Sequence, residues 1–346
     1  MRYIIDIPRW LDVKIKAILA DEGSDYSSIG EFIVVACENQ IRIEAEDTEV
    51  GSIEPVATEK NVPRKEKLEH LLSSDISAVS TVNSPSPDKV DAILLWGQVN
   101  RIFPIKLGTR VLANSLKDMG AGLMNLEDFR NKATRIAREF GLKLRILDKR
   151  KMRKPGEKLS TGLPAGSKAE LSMNRYKAHY LAYQTGKGTL SGALADLRLA
   201  NIEGDNIGIT EKGLEFAKLS NPLLDSKEAN LTMPLSGGEI KCFLSLVSEF
   251  LPDEHAFMNT VLGMIESGEP PREVFNSRVK GFLEKVWKRE ITNAVANTMR
   301  SGVLSRMWEL KLVECRHVGK TVVYSAVRGS GGELGGAKEE VSSNKI

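Results

Sequence analysis

The chain has 346 residues, of which 41% are hydrophobic and 27% charged, a composition that suits roughly two to four small globular domains. Its formal net charge of +3 is too small to indicate a nucleic-acid partner by itself, so the distribution of charge has to be examined. No apolar run approaches the length of about 18 residues that a membrane helix needs, and no secretory signal pattern is present. We therefore predict a cytoplasmic protein without a membrane partner.

Few patterns in the sequence suit catalysis or metal binding. The three cysteines, Cys37, Cys242 and Cys315, lie far apart without CxxC spacing, which argues against a zinc site and a disulfide framework. The histidines are scattered, and Walker A, GxSxG and HExxH patterns do not occur. The sequence thus predicts a protein that is not an enzyme and that needs no metal or cofactor.

Residues 1–48 predict one strand followed by two helices. Residues 2–7 place three apolar side chains on one side of a strand: Tyr3, Ile5 and Ile7. Pro8 ends that strand, and the second helix carries Phe32 and Ile33 in its apolar stripe. A single strand with two short helices exposes an unpaired edge and has too little core. We therefore predict that two chains form a homodimer through these five apolar residues.

This pattern resembles the ribbon-helix-helix family over residues 2–43, through the Ile7-Pro8 step and the run SSIGEFI that opens the second helix. The resemblance implies DNA binding by outward side chains of the paired strands, and Arg2 alone suits that task here, as a donor to guanine. Residues 1–48 hold 5 basic and 10 acidic residues. DNA phosphates repel a module with such an excess of negative charge. We interpret the module as a dimerisation unit first and a DNA reader second. The alternative is a strand and helical hairpin docked on a larger domain.

Residues 49–87 are acidic and then rich in Ser and Pro, which predicts a flexible linker, and residues 329–346 predict a disordered tail. Residues 88–160 predict a helical unit, for which a winged helix is one option. Asp88 is expected to cap a helix that extends through Val99, and Pro104 interrupts the helical pattern. Asn125 is expected to cap a further helix that ends at Gly141, before a strand from Leu142 to Leu147.

The strongest charge bias lies at residues 130–158, which hold 12 basic and 3 acidic residues. A basic helix followed by a basic loop suits contact with a phosphate backbone. We predict that seven cations in this tract bind DNA: Arg135, Arg138, Lys149, Arg150, Lys151, Arg153 and Lys154. The alternative is a solvated charge run without a partner.

Residues 161–225 resemble a winged-helix domain. The sequence predicts a helix from about Lys168 to Thr185, a second helix over residues 190–199 and a hairpin that reverses at residues 204–206. A last helix begins at Glu211 in the run ITEKGL, which winged-helix proteins commonly show after a hairpin. Acidic and basic residues balance across this unit, so a DNA reader and a scaffold that contacts other proteins both stay open.

Residues 226–328 are expected to be helical and to end in a second, clearer resemblance to a winged helix. Two predicted helices over 291–310 precede predicted strands at 313–317 and 321–327, and residues 272–328 hold 12 basic and 5 acidic residues. The resemblance implies a recognition helix that presents base-reading side chains and a wing that contacts phosphate. The predicted residues are Arg300, Ser301 and Arg306 on the helix, and Arg316 and Lys320 on the wing.

Together these patterns predict a mainly α protein with small β-hairpins (α+β), in which a ribbon-helix-helix-like dimerisation module precedes tandem winged-helix units. The function we predict is sequence-recognising binding of double-stranded DNA, as in a prokaryotic-type transcriptional regulator or an operator- or origin-binding protein. The alternative is a non-catalytic adaptor or assembly subunit whose winged helices bind other proteins.

Overall fold

The computed structural model describes residues 70–166, 168–225, 233–268, 272–318 and 321–327. The chain divides into two units, Met1–Lys60 and Asn61–Ile346, and every described residue belongs to the second. The predicted ribbon-helix-helix-like module, most of the linker and the tail therefore lie outside the described residues. The same holds for the predicted dimerisation residues and for two predicted DNA-binding residues: Tyr3, Ile5, Ile7, Phe32, Ile33, Arg2 and Lys320.

The described residues are mainly helical with small antiparallel sheets, which confirms the predicted α+β class. The helices are α1 (Phe103–Met119), α2 (Leu126–Arg150), α3 (Ala169–His179), α4 (Ala193–Asp196), α5 (Glu211–Lys218), α6 (Pro222–Asp225), α7 (Gly237–Phe250), α8 (Pro252–Glu266), α9 (Arg272–Trp287) and α10 (Asn293–Glu309). The strands are β1 (Met124–Asn125), β2 (Tyr183–Gln184), β3 (Leu190–Ser191), β4 (Ala200–Glu203), β5 (Asn206–Ile209), β6 (Val313–Val318) and β7 (Thr321–Ala326).

One sheet joins two of the predicted units. Its strand order is β1-β5-β4, with Met124 opposite Ile207 and Ile202 opposite Ile207 on the other side. Strand β1 comes from the predicted unit 88–160, whereas β4 and β5 come from the predicted unit 161–225. The two units therefore share one sheet and one hydrophobic core.

Helix α1 lies at the centre of that core. Every residue from Arg101 to Leu116 is buried. Pro104 lies in the first turn of α1, where the missing N–H costs no hydrogen bond, so this proline begins a helix and does not interrupt one. Gly120, in the left-handed conformation with φ of 60°, ends it.

A stripe of polar side chains at four-residue spacing runs along the buried helix α1: Lys106, Arg110 and Asn114. The Lys106 ammonium lies 3.0 Å from Glu239 and donates hydrogen bonds to the carbonyls of Phe216 and Leu219. Those carbonyls are at the C-terminal end of α5, where helix carbonyls lack partners within the helix. Burial lowers the pKa of Lys106 to about 8, against the opposing effect of Glu239.

Arg110 extends the same arrangement by one turn. Its guanidinium lies 2.5 Å from Asp225 and donates to the carbonyls of Leu72 and Ala217, at 2.9 and 3.1 Å. Asn114 donates to the carbonyl of Ser73 at 2.9 Å. Through these buried polar contacts, helix α1 fixes the end of α5 and also the segment around Leu72 and Ser73.

Helix α2 differs from its prediction at the C-terminal end. The Asn125 cap is confirmed, since its side chain accepts hydrogen bonds from two backbone N–H groups of the first turn. The predicted strand over residues 142–147 is wrong, because the helix continues without a break to Arg150. Gly141 does not end the helix. A Cβ at this position would lie 2.9 Å from the Cβ of Leu163, so glycine lets the following loop pack closely on α2.

Residues 90–102 form no regular helix, contrary to the helix predicted from Asp88. They follow a 3-10 turn at Pro87–Lys89 and cross the surface of α10 at close range. A Cβ at Gly97 would lie 2.4 Å from the carbonyl oxygen of Thr298, and one at Gly302 would lie 2.4 Å from that of Gly97. Both glycines are therefore required for this contact, and the segment covers much of the helix predicted to read DNA.

Arg306 was predicted on the exposed side of α10, and that placement is wrong. Its side chain and that of Glu254 are both fully buried, with the guanidinium 2.5 Å from the carboxylate. Arg306 also donates to the carbonyl of Val99, while Glu254 accepts from the N–H of Leu95 at 3.2 Å. The four-residue spacing of polar and apolar positions gave no sign that residues 90–102 would cover this face.

Several other predicted helices differ. The helix predicted from about Lys168 to Thr185 ends at His179, and Tyr183–Gln184 forms strand β2. The predicted second helix of the unit 161–225 is replaced by strand β3 and the short helix α4, with Gly192 at φ of 93° between them. The two helices predicted over 291–310 are the single helix α10, capped by Thr292. The hairpins β4–β5 and β6–β7 and the helix starting at Glu211 are confirmed.

Replacing Arg306 with Met should lower the free energy of unfolding by about 3–5 kcal/mol, because Glu254 is then left as a buried charge without its partner. Urea unfolding of the purified chain measures this change. The matched control is Arg135→Met at an exposed position, which should shift the free energy by less than about 0.5 kcal/mol. An Arg306→Met variant as stable as the wild type would contradict the buried ion pair.

The stability of the folded chain is expected to depend on pH through Asp196. It is 3% exposed, and its Oδ1 has no hydrogen-bond partner among the described residues. Burial raises the pKa of Asp196 from 3.8 to about 7, although Arg198 opposes the shift. The folded chain then holds this proton more tightly than the unfolded chain, so stability is lost as pH rises from about 4 to about 7.

Asp196→Asn removes that titration. The variant should be more stable than the wild type at pH of about 8, by up to about 4 kcal/mol, and should differ little at pH of about 4. Unfolding in urea at the two pH values measures the difference, with exposed Asp205→Asn as the control. An equal difference at both pH values would contradict the raised pKa.

Candidate nucleic-acid interface

Helix α2 from Arg135 onward and the loop that follows it form a basic surface, which we call the basic ridge. Its exposed cations lie on α2 and on residues 151–158: Arg135, Lys143, Lys149, Arg150, Lys151, Lys154 and Lys158. Two exposed apolar side chains, Leu142 and Ile146, lie among them on α2. The ridge takes this form because α2 extends without a break to Arg150, so Lys143, Lys149 and Arg150 belong to one helix.

Two arginines of α2 hold the segment that borders the ridge. Arg138 donates to the carbonyl of Pro164 at 3.1 Å, and Arg145 donates to the carbonyl of Ala165 at 3.0 Å. Both guanidinium groups are half-buried. Arg138, which the sequence predicted as a DNA contact, therefore has a positioning contact within the protein.

Asp148 fixes the basic loop to the end of α2. The side chain is 2% exposed, and its carboxylate accepts hydrogen bonds from the N–H groups of Leu159 and Ser160 and from the Ser160 hydroxyl. The Arg153 guanidinium lies 3.1 Å from the same carboxylate. Arg153 was predicted to bind DNA, and the structure places it in this internal ion pair.

A cleft of about 480 Å³ lies between the end of α2 and the returning loop. Four basic side chains line it together with one acidic side chain: Arg145, Lys149, Arg153, Lys158 and Asp148. Ser160 and Thr161 add hydroxyl groups. The acid is already hydrogen-bonded within the protein, so the cleft is electropositive and suits a phosphate group.

Arg101 joins the basic loop to the C-terminal region. It is 2% exposed and donates to the carbonyl of Gly156 at 2.6 Å and to that of Ser305 at 2.9 Å. Its guanidinium also lies 4.6 Å from the ring centroid of Trp308. One buried cation thus connects the loop of the ridge with helix α10, although these regions are about 150 residues apart in sequence.

The loop also contacts strand β6. A Cβ at Gly156 would lie 3.6 Å from the sulfur of Cys315, and burial raises the pKa of this thiol, which favours its neutral form. Arg316 is exposed on the neighbouring position of the strand. Since successive side chains of a strand point to opposite sides, Arg316 lies on the face of the hairpin opposite to Cys315 and the ridge.

The predicted reading residues of α10 are in different environments. Ser301 is exposed, whereas Arg300 is half-buried, donates to Asn297 at 3.0 Å and lies 5.6 Å from the ring centroid of Phe275. Arg306 is in the core, as described above. The structure therefore collects the exposed cations of residues 135–158 on one surface, and it does not assemble the predicted cationic reading face on α10.

Arg101, Asp148 and Ser160 position the ridge but are not among the residues that the sequence predicts at the site. Asp148 had one detectable signal, because it continues the four-residue spacing of buried positions that includes Leu144. Arg101 and Ser160 act through backbone carbonyls and a carboxylate distant in sequence, so their spacing carries no signal.

The described ranges contain no helix whose length and apolar character suit a bilayer span. Within the same ranges, no group of three or more His, Cys, Asp or Glu side chains is arranged to hold a metal ion. No family model, curated protein or solved structure matches this chain.

Asp148→Ala should release the basic loop, because two backbone N–H groups then lose a charged acceptor. We expect the amides of Leu159 and Ser160 to exchange with solvent about 10- to 100-fold faster. Hydrogen exchange of the full chain measures this rate. Glu139→Ala, which removes an acid half-exposed on the same helix, is the matched control and should leave these amides unchanged. Unchanged exchange in Asp148→Ala would show that other contacts hold the loop.

Proposed function

We propose that this chain binds double-stranded DNA and that the basic ridge contacts the phosphate backbone. The observation that carries the proposal is the uninterrupted helix α2, which places Arg135, Lys149 and Arg150 on one element, directly before Lys151 and Lys154 of the fixed loop. Cations held in this way release the counterions of DNA when they meet phosphate, which gives sequence-independent affinity.

The cleft supports the same proposal. Its volume of about 480 Å³ is large enough for one phosphodiester group and its neighbouring sugar, and Lys149 at the end of α2 is part of its lining. A phosphate seated there meets Lys149 and Lys158 directly. Phosphate contacts of this kind fix the position of a protein on the duplex and do not read its sequence.

Sequence recognition is a further part of the proposal. Ser301 is exposed on α10, and Arg316 is exposed on the face of the β6–β7 hairpin opposite to the basic ridge, so their contact with DNA is proposed separately from that of the ridge. A helix followed by a hairpin supports the winged-helix interpretation. Arg306 is buried against Glu254 and is not part of the proposed recognition surface. The proposed role is that of a transcriptional regulator or an operator- or origin-binding protein, and the proposed homodimer rests on the sequence pattern of residues 1–48.

The adaptor hypothesis is favoured by one specific observation. Residues 90–102 cover helix α10 at backbone contact distance, so this helix is already occupied by its own chain. A winged-helix-like unit with an occupied recognition helix is available for contacts with other proteins through its remaining surface. On that hypothesis the ridge has no effect on binding to DNA.

A titration against random-sequence duplex DNA at several salt concentrations tests the ridge. Replacing Lys149, Arg150, Lys151 and Lys154 with Ala should reduce the slope of log affinity against log salt by about three to four units, because each cation releases roughly one counterion. Arg153 is kept, since its loss would disturb the contact with Asp148.

The control for this variant removes the same charge from other elements. Lys89, Lys187, Lys218 and Lys241 are all exposed and lie outside α2 and its loop. Replacing these four with Ala should leave the salt slope within about one unit of the wild type. Equal slopes for the ridge variant and the wild type would remove the ridge from the DNA interface and favour the adaptor.

A further inference from the structure

Two tryptophans form an exposed aromatic pair outside the basic ridge. The ring centroids of Trp96 and Trp287 lie 5.6 Å apart, with the ring planes tilted by 39°. Trp96 is 45% exposed and Trp287 is half-buried. A tryptophan left so open to water forgoes the burial of a large apolar surface, so its position needs a physical reason.

The exposure of Trp96 does not come from a loosely held backbone. The preceding N–H, that of Leu95, donates to buried Glu254 at 3.2 Å, and the carbonyl of Trp96 accepts from the N–H of Val99 at 2.9 Å. The following residue, Gly97, packs directly on the backbone of α10. The main chain is therefore fixed on both sides while the indole ring stays outside, and the ring is presented in advance to any ligand.

The surroundings of Trp287 are basic. Residues 285–290 have the sequence KVWKRE, with three cations and one acid. Lys288 adopts the left-handed conformation with φ of 52° directly after the last residue of α9. The chain then turns so that the guanidinium of Arg289 lies 5.6 Å from the ring centroid of Trp287. Two aromatic rings and a cluster of solvent-exposed cations thus occur on one surface.

We propose that Trp96 and Trp287 form a stacking platform for unpaired bases of single-stranded nucleic acid, with Lys288 and Arg289 near the phosphates. Every base offers a π-face, so stacking on an exposed indole is tolerant of sequence, and neighbouring cations follow the backbone. A partner protein would also contact the rings, but three cations within five residues favour a polyanion. The platform extends the proposed function from duplex to single strands, and it uses none of the contacts of the ridge.

The test is a binding titration of the full chain with fluorescein-labelled oligothymidylate and, separately, with random duplex. Trp96→Ala should weaken oligothymidylate binding by about tenfold or more, and Trp96→Phe should weaken it less, since a smaller ring still stacks. Both variants should bind duplex as the wild type does. The control Leu171→Ala removes a side chain that is 46% exposed on α3, close to the exposure of Trp96, and should change neither affinity.

Each result decides one of the two proposals. If Trp96→Ala weakens binding to oligothymidylate while the ridge variant binds duplex normally, the platform stands and the ridge fails. Equal binding of oligothymidylate by the wild type and Trp96→Ala overturns the platform. The platform is also overturned if the wild type does not bind oligothymidylate at low salt. It is overturned as well if the only effect of Trp96→Ala is a changed sedimentation coefficient, which would identify the tryptophan pair as a protein interface.

Discussion

Buried charge is the constraint on which the described structure depends. Arg306 and Glu254 pair in full burial, and each also bonds to the backbone of residues 90–102. Glu309, also buried, accepts a hydrogen bond from the N–H of Ile102. These residues satisfy the polar groups of a segment that has no regular secondary structure, so an irregular chain can cross the core at little cost. Helix α1 begins where this segment ends.

Buried charged groups also position the basic ridge. Arg101 joins the basic loop to α10 from a buried position, and Asp148 joins that loop to α2. Arg153 and Arg138 of the basic tract hold the ridge together through contacts with Asp148 and with the carbonyl of Pro164. Lys149 and Arg150 of the same tract are exposed on its surface.

Local patterns predicted a large part of this fold, and they failed where distant residues decide. The Asn125 cap, the β4–β5 and β6–β7 hairpins and the helix after Thr210 follow from turn and capping chemistry, which acts within a few residues. A glycine often marks the end of a helix, but Gly141 lies within α2 and allows close packing against Leu163, about 20 residues later. Charge density located the ridge, whereas the burial of Arg306 depends on Glu254 and Val99, which lie in other parts of the chain.

Hydrogen exchange of the full chain, with and without random-sequence duplex DNA, tests whether the basic ridge contacts the duplex. We expect DNA to slow exchange of backbone amides in residues 149–160 and to leave the buried amides of α10 unchanged. Slowed exchange confined to α10, or no change in residues 149–160 at a DNA concentration that saturates binding, would contradict the assignment of the basic ridge as the surface that holds the duplex.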